Sequence, residues 1–263
     1  MMFWIHPKYR TNLRSASVDA YDAITRLEPA DHYVEKQGRS TGRYEIVEGG
    51  RRLSFFLKKY LDMPWWRRWF TPIANFPGPR ELENLRRAEG LGVRVTEPLA
   101  AGADRRHACK SLLAVRELEG YLPLHEFIPS RFRGAETSVT RAVRRALAER
   151  IAGVARKLHS AHLYHCDFYL CHFFIRELPE NPTGFDLVLI DLTRLKESHW
   201  SRWRVKDLAQ LLFSSDLPAI TRTDRLRFFK RYLGVRKLDA AARQLLRRIV
   251  WKAWFYRRHN AAA

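Results

Sequence analysis

The stretch His165-Cys166-Asp167-Phe168-Tyr169-Leu170-Cys171-His172 sets a carboxylate five residues before an imidazole. Two further aspartates follow at Asp191 and Asp207, and far upstream stands Lys58 with Glu81 and Glu83 behind it. A carboxylate can orient a hydroxyl nucleophile or hold a hard cation, and a lysine can fix phosphates. Those are the parts that phosphoryl transfer asks of a protein, because little of that reaction's chemistry is covalent and most of it is positioning and charge.

The same stretch carries a second reading. His165, Cys166, Cys171 and His172 are all zinc-ligand types, but their spacing fits no common structural zinc pattern. On a strand, neighbours such as Cys171 and His172 would point to opposite faces.

The elements that must position these residues fall into two halves. From Tyr33 to Lys59 the pattern is a three-stranded antiparallel meander: a polar turn at Gly38-Arg39-Ser40-Thr41-Gly42, a strand over Tyr44–Val47, a turn at Glu48-Gly49-Gly50-Arg51, and a strand over Leu53–Lys58. Pro77-Gly78-Pro79 is expected to break the chain before a short helix from Arg80 that ends near Gly90. Val93–Val95 and Ala108–Glu117 read as two more strands. In the second half, Val139, Val143, Leu147, Ile151, Val154, Ala155 and Leu158 recur at helical spacing and make one long amphipathic helix down to His159. Helices dominate again after Trp203. Between Cys171 and Asp191 lies a hairpin whose turn, Pro179–Gly184, is centred between Asn181 and Pro182; symmetric pairing about that point sets His172 opposite Asp191.

The fold class is therefore α+β and bilobal, with a small β-rich N-terminal lobe over 1–118 and a larger helical lobe over 119–263. A chain of 263 residues with 46% hydrophobic and 13% aromatic residues can bury a sizeable core. The longest apolar runs, such as Leu187–Ile190, are far shorter than a membrane-spanning helix needs. The N-terminus shows no secretory pattern, and three cysteines suggest no disulfide framework, so a reducing cytoplasm is the expected setting.

Lys and Arg number 48 against 28 Asp and Glu, a net charge of +20 that implies polyanionic partners. Many cations sit beside tryptophan, as in Trp65-Trp66-Arg67-Arg68-Trp69 and Trp251 to Arg258. Tryptophan with arginine suits a membrane interface. The commoner arrangement for any one such segment is rings in the core and arginines in water.

The order of the chemical residues matches the protein-kinase signature: a strand lysine, a helix glutamate, an aspartate after a long helix with a polar residue five positions on, and a second aspartate beyond it. More closely, the chain resembles the lipopolysaccharide core kinases of Gram-negative bacteria, the WaaP-like heptose and Kdo kinases. The resemblance is carried by Ser54-Phe55-Phe56-Leu57-Lys58, Arg80-Glu81, His162 through His172, Ile190-Asp191-Leu192, and Arg202-Trp203-Arg204-Val205-Lys206-Asp207-Leu208 with Phe213-Ser214-Ser215. It spans roughly residues 30 to 235.

That resemblance implies a protein-kinase-like fold that transfers the γ-phosphate of ATP, with Mg²⁺, to a sugar hydroxyl of the inner core, at the cytoplasmic face of the inner membrane. It implies Asp167 as catalytic base and Asp191 as metal ligand. His172 would stand in the asparagine position, either on the metal or orienting Asp167 or a phosphate. Lys58 and Glu81 would hold the nucleotide phosphates, with Gly38 and Gly42 in the lid over them. His165 and Asp207 would support the catalytic loop. Glu81 and Glu83 lie about 200° apart on a helix, so only one can serve Lys58, and the resemblance favours Glu81; Lys59 would point away from the face of Phe56.

Several positions depart from the protein-kinase pattern. Cys166 replaces the arginine that reads an activation-loop phosphate, Leu192-Thr193 replace Phe-Gly, and the glycine turn lacks its full motif. The short segment before Asp207 carries Arg194, Lys196, His199, Arg202 and Arg204, which suits an acceptor that is already anionic. The expected partners are a lipopolysaccharide core glycolipid and the membrane surface, with no nucleic acid. The alternatives are a kinase for another small molecule or a protein, or a catalytically inactive kinase-like binding protein.

Overall fold

The computed structural model describes residues 1–36, 38–48, 51–134 and 136–261. The chain forms two compact units, one of Met1–Arg87 with Thr96–Glu119, the other of Ala88–Val95 with Gly120–Ala263.

The first unit contains β1 (Met2–Ile5), α1 (Arg10–Ser15), α2 (Tyr21–Arg26), β2 (Asp31–Lys36), β3 (Arg39–Glu48), β4 (Arg51–Tyr60), α3 (Trp65–Phe70), most of α4 (Pro77–Gly90), β5 (Pro98–Ala103) and β6 (Ser111–Arg116). Its strands form one antiparallel sheet in the order β1-β5-β6-β4-β3-β2. Leu13, Tyr21 and Ile24 from α1 and α2 pack with Tyr44, Phe55, Leu57, Leu99 and Leu112 of the strands to close the core. Burying such side chains contributes roughly 1.5–3 kcal/mol each.

The meander is present, but its first turn is tighter than the sequence suggests. Arg39 already pairs with Tyr60, and Gly42 lies inside β3 opposite Leu57. Only Gly38 remains in the turn, with φ +71, and its carbonyl accepts from the amides of Leu61 and Asp62. Thr41 pairs with Lys58, so the Gly38 turn and Lys58 share one end of the sheet. Of the turn expected at Glu48-Gly49-Gly50-Arg51, Gly49 and Gly50 lie outside the described residues, as do Ala262 and Ala263.

Two other expectations are corrected. Pro77-Gly78-Pro79 does not break the chain: it is the first turn of α4, where proline's missing N–H costs nothing. Gly78 donates to Ser111 Oγ at 2.8 Å, and a Cβ there would come within 2.0 Å of the Leu112 carbonyl. Val93–Val95 is not a strand; only Val95 bridges to Leu189. The missing strand is instead β5, Pro-Leu-Ala-Ala-Gly-Ala, whose small residues lack any β signature yet sit where the rings of Tyr21 and Phe3 leave no room for a Cβ at Gly102.

The second unit contains β7 (Leu122–Pro123), α5 (Leu124–Arg131), α6 (Ser138–Ser160), β8 (Leu163–Tyr164), β9 (Phe173–Leu178), β10 (Asn181–Leu189), β11 (Lys196–Glu197), α7 (Ser201–Ser214), α8 (Arg222–Leu233) and α9 (Ala240–Ala261). α6 is the expected long helix. Thr137 caps it, and Val143, Leu147, Ile151, Ala155 and Leu158 line its buried face.

The hairpin register differs by one residue from symmetric pairing. Phe173 pairs with Leu189 and Glu177 with Phe185, after an irregularity between Asn181 and Phe185 absorbs the extra residues of the turn. The Ile190 amide donates to the His172 carbonyl, so His172 faces Ile190 rather than Asp191. A one-residue slip exchanges sheet faces, and Asp191 falls beyond the strand in a left-handed conformation, φ +55. Leu170–His172 is one 3₁₀ turn, not a strand.

The tryptophans also depart from the commoner arrangement. Trp65, Trp66, Trp69, Trp251 and Trp254 are all exposed. Among the described residues no helix is long and apolar enough to cross a membrane.

Candidate active site

In the first unit, alternation along β4 turns Lys58 into the interior while Lys59 points the other way. Lys58 Nζ lies 2.6 Å from Glu81 Oε1 of α4, and both side chains are almost completely buried. Lys59 donates instead to the carbonyls of Thr25 and Leu27. Of the two glutamates on α4, Glu81 is the lysine's partner and Glu83 is exposed.

In the second unit, the loop from His165 to His172 is built around α7. Asp207, with no exposed surface, accepts from the His165 amide and the Cys166 amide, both at 2.8 Å. Three residues on, Gln210 accepts from the Phe168 amide at 3.1 Å and donates to the Cys166 carbonyl at 3.2 Å. Four further on, Ser214 accepts from the Leu170 amide at 3.0 Å. The spacing i, i+3, i+7 is one helix face. It holds Cys166 in a left-handed conformation, φ +64, which an unsupported cysteine would leave.

Below Asp207 runs a second layer. His159 Nε2–H donates to Asp207 at 3.2 Å, and its Nδ1 accepts from the Tyr232 hydroxyl at 2.9 Å. Arg204 in turn donates to that hydroxyl at 2.7 Å.

On the loop, the Asp167 side chain is about a quarter exposed, with Arg194 Nη1 3.6 Å from its Oδ1. His172 Nδ1–H donates to the Asp167 carbonyl at 2.6 Å. The His165 ring lies 5.7 Å from that of His172 at 29°, and its Nε2–H donates to the Ile190 carbonyl. Asp191 accepts from the Thr193 hydroxyl at 2.6 Å. The positive φ at Cys166 and Asp191 marks two bends of the kind that cluster at functional sites.

The basic residues singled out before Asp207 have different partners. Only Arg194 reaches Asp167. Lys196 sits over the Trp203 ring, Arg202 over Trp200 and Trp203, and Arg204 over Tyr232.

Among the described residues, no group of three or more His, Cys, Asp or Glu stands ready to hold a metal ion. Burial pushes the Cys166 thiol up to about 11. A single carboxylate such as Asp191 suits Mg²⁺, which takes one or two carboxylates and fills its octahedron with waters and substrate phosphates.

Sequence reasoning gave no role to Gln210, Ser214, His159 or Tyr232. A signal was available for the first two: polar residues at 207, 210 and 214 form a stripe along a helix that is otherwise apolar on its buried side.

The two loop histidines titrate in opposite directions. Burial holds His165 below its ordinary 6.5. Burial also pulls on His172, but the Cys171 side chain, the Asp167 carbonyl and the Asp191 carboxylate outweigh it and raise this imidazole to about 9. The stability from His172 is fully present below pH 6.5 and is lost as pH rises through about 9. His165 resists protonation when folded, so stability falls as pH drops below 6.5. Calorimetry across a pH series is expected to show a maximum near pH 6.5, with His172→Gln flattening the alkaline limb alone.

The model of the lipopolysaccharide kinase (Kdo/WaaP) family matches residues 25–232, a range that includes Lys58, Glu81, Asp167, Asp191 and Asp207. The lipopolysaccharide core heptose(I) kinase WaaP of Pseudomonas aeruginosa is 31% identical over 226 residues, 81% of this chain and 80% of that protein. The protein of the same name from Escherichia coli is 40% identical over 235 residues, 82% of each chain. A solved structure of WaaP in complex with acyl carrier protein superimposes with a TM-score of 0.71 at 26% identity, covering 99% of both chains. The fold is thus the α+β protein-kinase-like fold, and the chain belongs to the lipopolysaccharide kinase (Kdo/WaaP) family.

Proposed function

We propose that the protein is an ATP-dependent kinase that phosphorylates a sugar of the lipopolysaccharide inner core, heptose or Kdo, with Asp167 as the general base. The observation that carries this reading is the Asp167 carboxylate, left accessible on a loop whose backbone α7 pins at four amides. The activity named for the relatives makes heptose the first acceptor to test.

In this mechanism Lys58, steadied by Glu81, binds the α- and β-phosphates of ATP, under a lid whose turn is at Gly38. Asp191 would hold Mg²⁺, which when bound would neutralise charge on the transferred group. Asp167 orients the sugar hydroxyl and takes its proton as the phosphoryl group arrives. Arg194, 3.6 Å from Asp167, would offer its cation to an anionic acceptor. Of the two roles read for His172, the Asp167 carbonyl bond favours support of the base's own peptide. The enzyme would work on its glycolipid at the cytoplasmic face of the inner membrane. The test is a transfer assay with ATP, Mg²⁺ and dephosphorylated core oligosaccharide, in which the product gains the mass of one phosphate. No gain with any core acceptor overturns the reading.

A second partner follows from a cavity of about 420 Å³ in the second unit, lined by Phe132, Leu147, Ala148, Leu211, Phe229 and Ile249 among others. A phosphorylated sugar has no use for such an apolar space. It suits an acyl chain; the solved relative is itself complexed with acyl carrier protein. Ala148→Phe, which fills the cavity, is expected to weaken binding of acylated carrier by about tenfold or more while sparing ATP-induced thermal stabilisation. Equal binding of acylated and unacylated carrier by the wild type would count against this use of the cavity.

A further inference from the structure

The six-residue helix α3 is inside out. At 100° per residue, Trp65, Trp69, Trp66 and Phe70 fall within an arc of about 140°, the width of an ordinary core-facing stripe. Here that stripe faces solvent, with the four residues 71%, 55%, 51% and 78% exposed. Arg68, off that arc, is only half-buried, its guanidinium 5.5 Å from the Trp69 ring centre.

The helix is held from beneath. The Arg68 amide donates to the Pro64 carbonyl, and the Arg105 guanidinium donates to the carbonyls of Arg68 and Thr71, capping the C-terminal end. Arg105 also covers the Phe76 ring. Four large rings on a braced turn expose apolar surface on the order of 500 Å², enough to mark an interaction site.

We propose that α3 is a docking platform for a membrane surface rich in anionic phospholipid. Between Asp62 and Glu81 the sequence has no acidic residue but has three arginines, and the whole chain carries +20. Indole rings beside guanidinium groups match the interfacial zone, where rings sit at headgroup depth and cations meet lipid phosphates. A second copy of the chain would bring like charge against like. The proposal deepens the membrane-surface part of the function above and rests on it only for its purpose, since docking would bring the enzyme to the surface that carries a glycolipid acceptor.

The test uses the full chain and its Trp66→Ser/Trp69→Ser/Phe70→Ser variant in co-sedimentation with phosphatidylethanolamine–phosphatidylglycerol vesicles. The wild type is expected to partition to these vesicles far better than to phosphatidylcholine, and the variant to lose about 30-fold. Because the three side chains are exposed, the variant is expected to keep its ATP-induced thermal shift and its transfer to soluble core oligosaccharide within about twofold. Equal partition of variant and wild type overturns the proposal. So does unchanged partition combined with lost binding of acyl carrier protein or single-stranded nucleic acid. A wild type that binds vesicles but phosphorylates no soluble acceptor sinks the kinase reading and leaves the docking intact.

Discussion

Asp167→Asn is expected to lower turnover of core acceptor by about 10³-fold, with the ATP-induced rise in melting temperature unchanged. The size follows from what the residue is asked to do. A positioned base contributes about 10²–10⁴-fold, and asparagine keeps the side-chain shape while removing the proton-accepting carboxylate. The specificity follows from the loop. The polar partners that hold its backbone are Asp207, Gln210 and Ser214, and the Asp167 group that His172 grips is the main-chain carbonyl. Arg194, the side chain's own partner, is exposed and loses little. Folding and nucleotide binding should therefore survive, which makes the assay a test of the base alone. Residual activity within tenfold of wild type would mean that another group takes the proton.

How much of this arrangement could be read from the sequence varied with the kind of signal involved. Asp167, Asp191 and Asp207 stand out because charged residues in a motif are legible one by one, and α6 stands out because seven apolar residues repeat at helical spacing from Val139 to Leu158. Gln210 does not, and Ser214 shows no role even within Phe213-Ser214-Ser215, since a neutral polar residue on a helix has no visible task until the loop it serves is folded over it. The hairpin register was out of reach for a different reason. Turn composition locates the reversal but not the irregularity between Asn181 and Phe185, and that single slip moves Asp191 off the strand. β5 failed on propensity, because alanine and glycine carry no strand signature, and at Gly102 the choice is made by the rings packed against it. On α3 the period was legible but the side was not: an aromatic arc looks the same facing a core or a membrane, and only tertiary structure decides.

The largest stability effect is expected at Asp207. Asp207→Ala strands two buried amides, those of His165 and Cys166, and removes the acceptor of His159. Each unsatisfied buried donor costs about 1–3 kcal/mol, so a loss of about 3–5 kcal/mol and about 10 °C in melting temperature should be read by calorimetry. Asp207→Asn keeps one acceptor oxygen but turns a donor toward the second amide, and should fall between the two. Gln210→Ala removes neutral bonds to Phe168 and Cys166 and should cost about 1–2 kcal/mol. Ser214→Ala removes one bond and should cost about 1 kcal/mol or less. That descending order along one face of α7 is what a helix acting as the loop's template requires. If Asp207 cost no more than Ser214, the loop would have to be held from elsewhere, and the left-handed turn at Cys166 would lose its explanation.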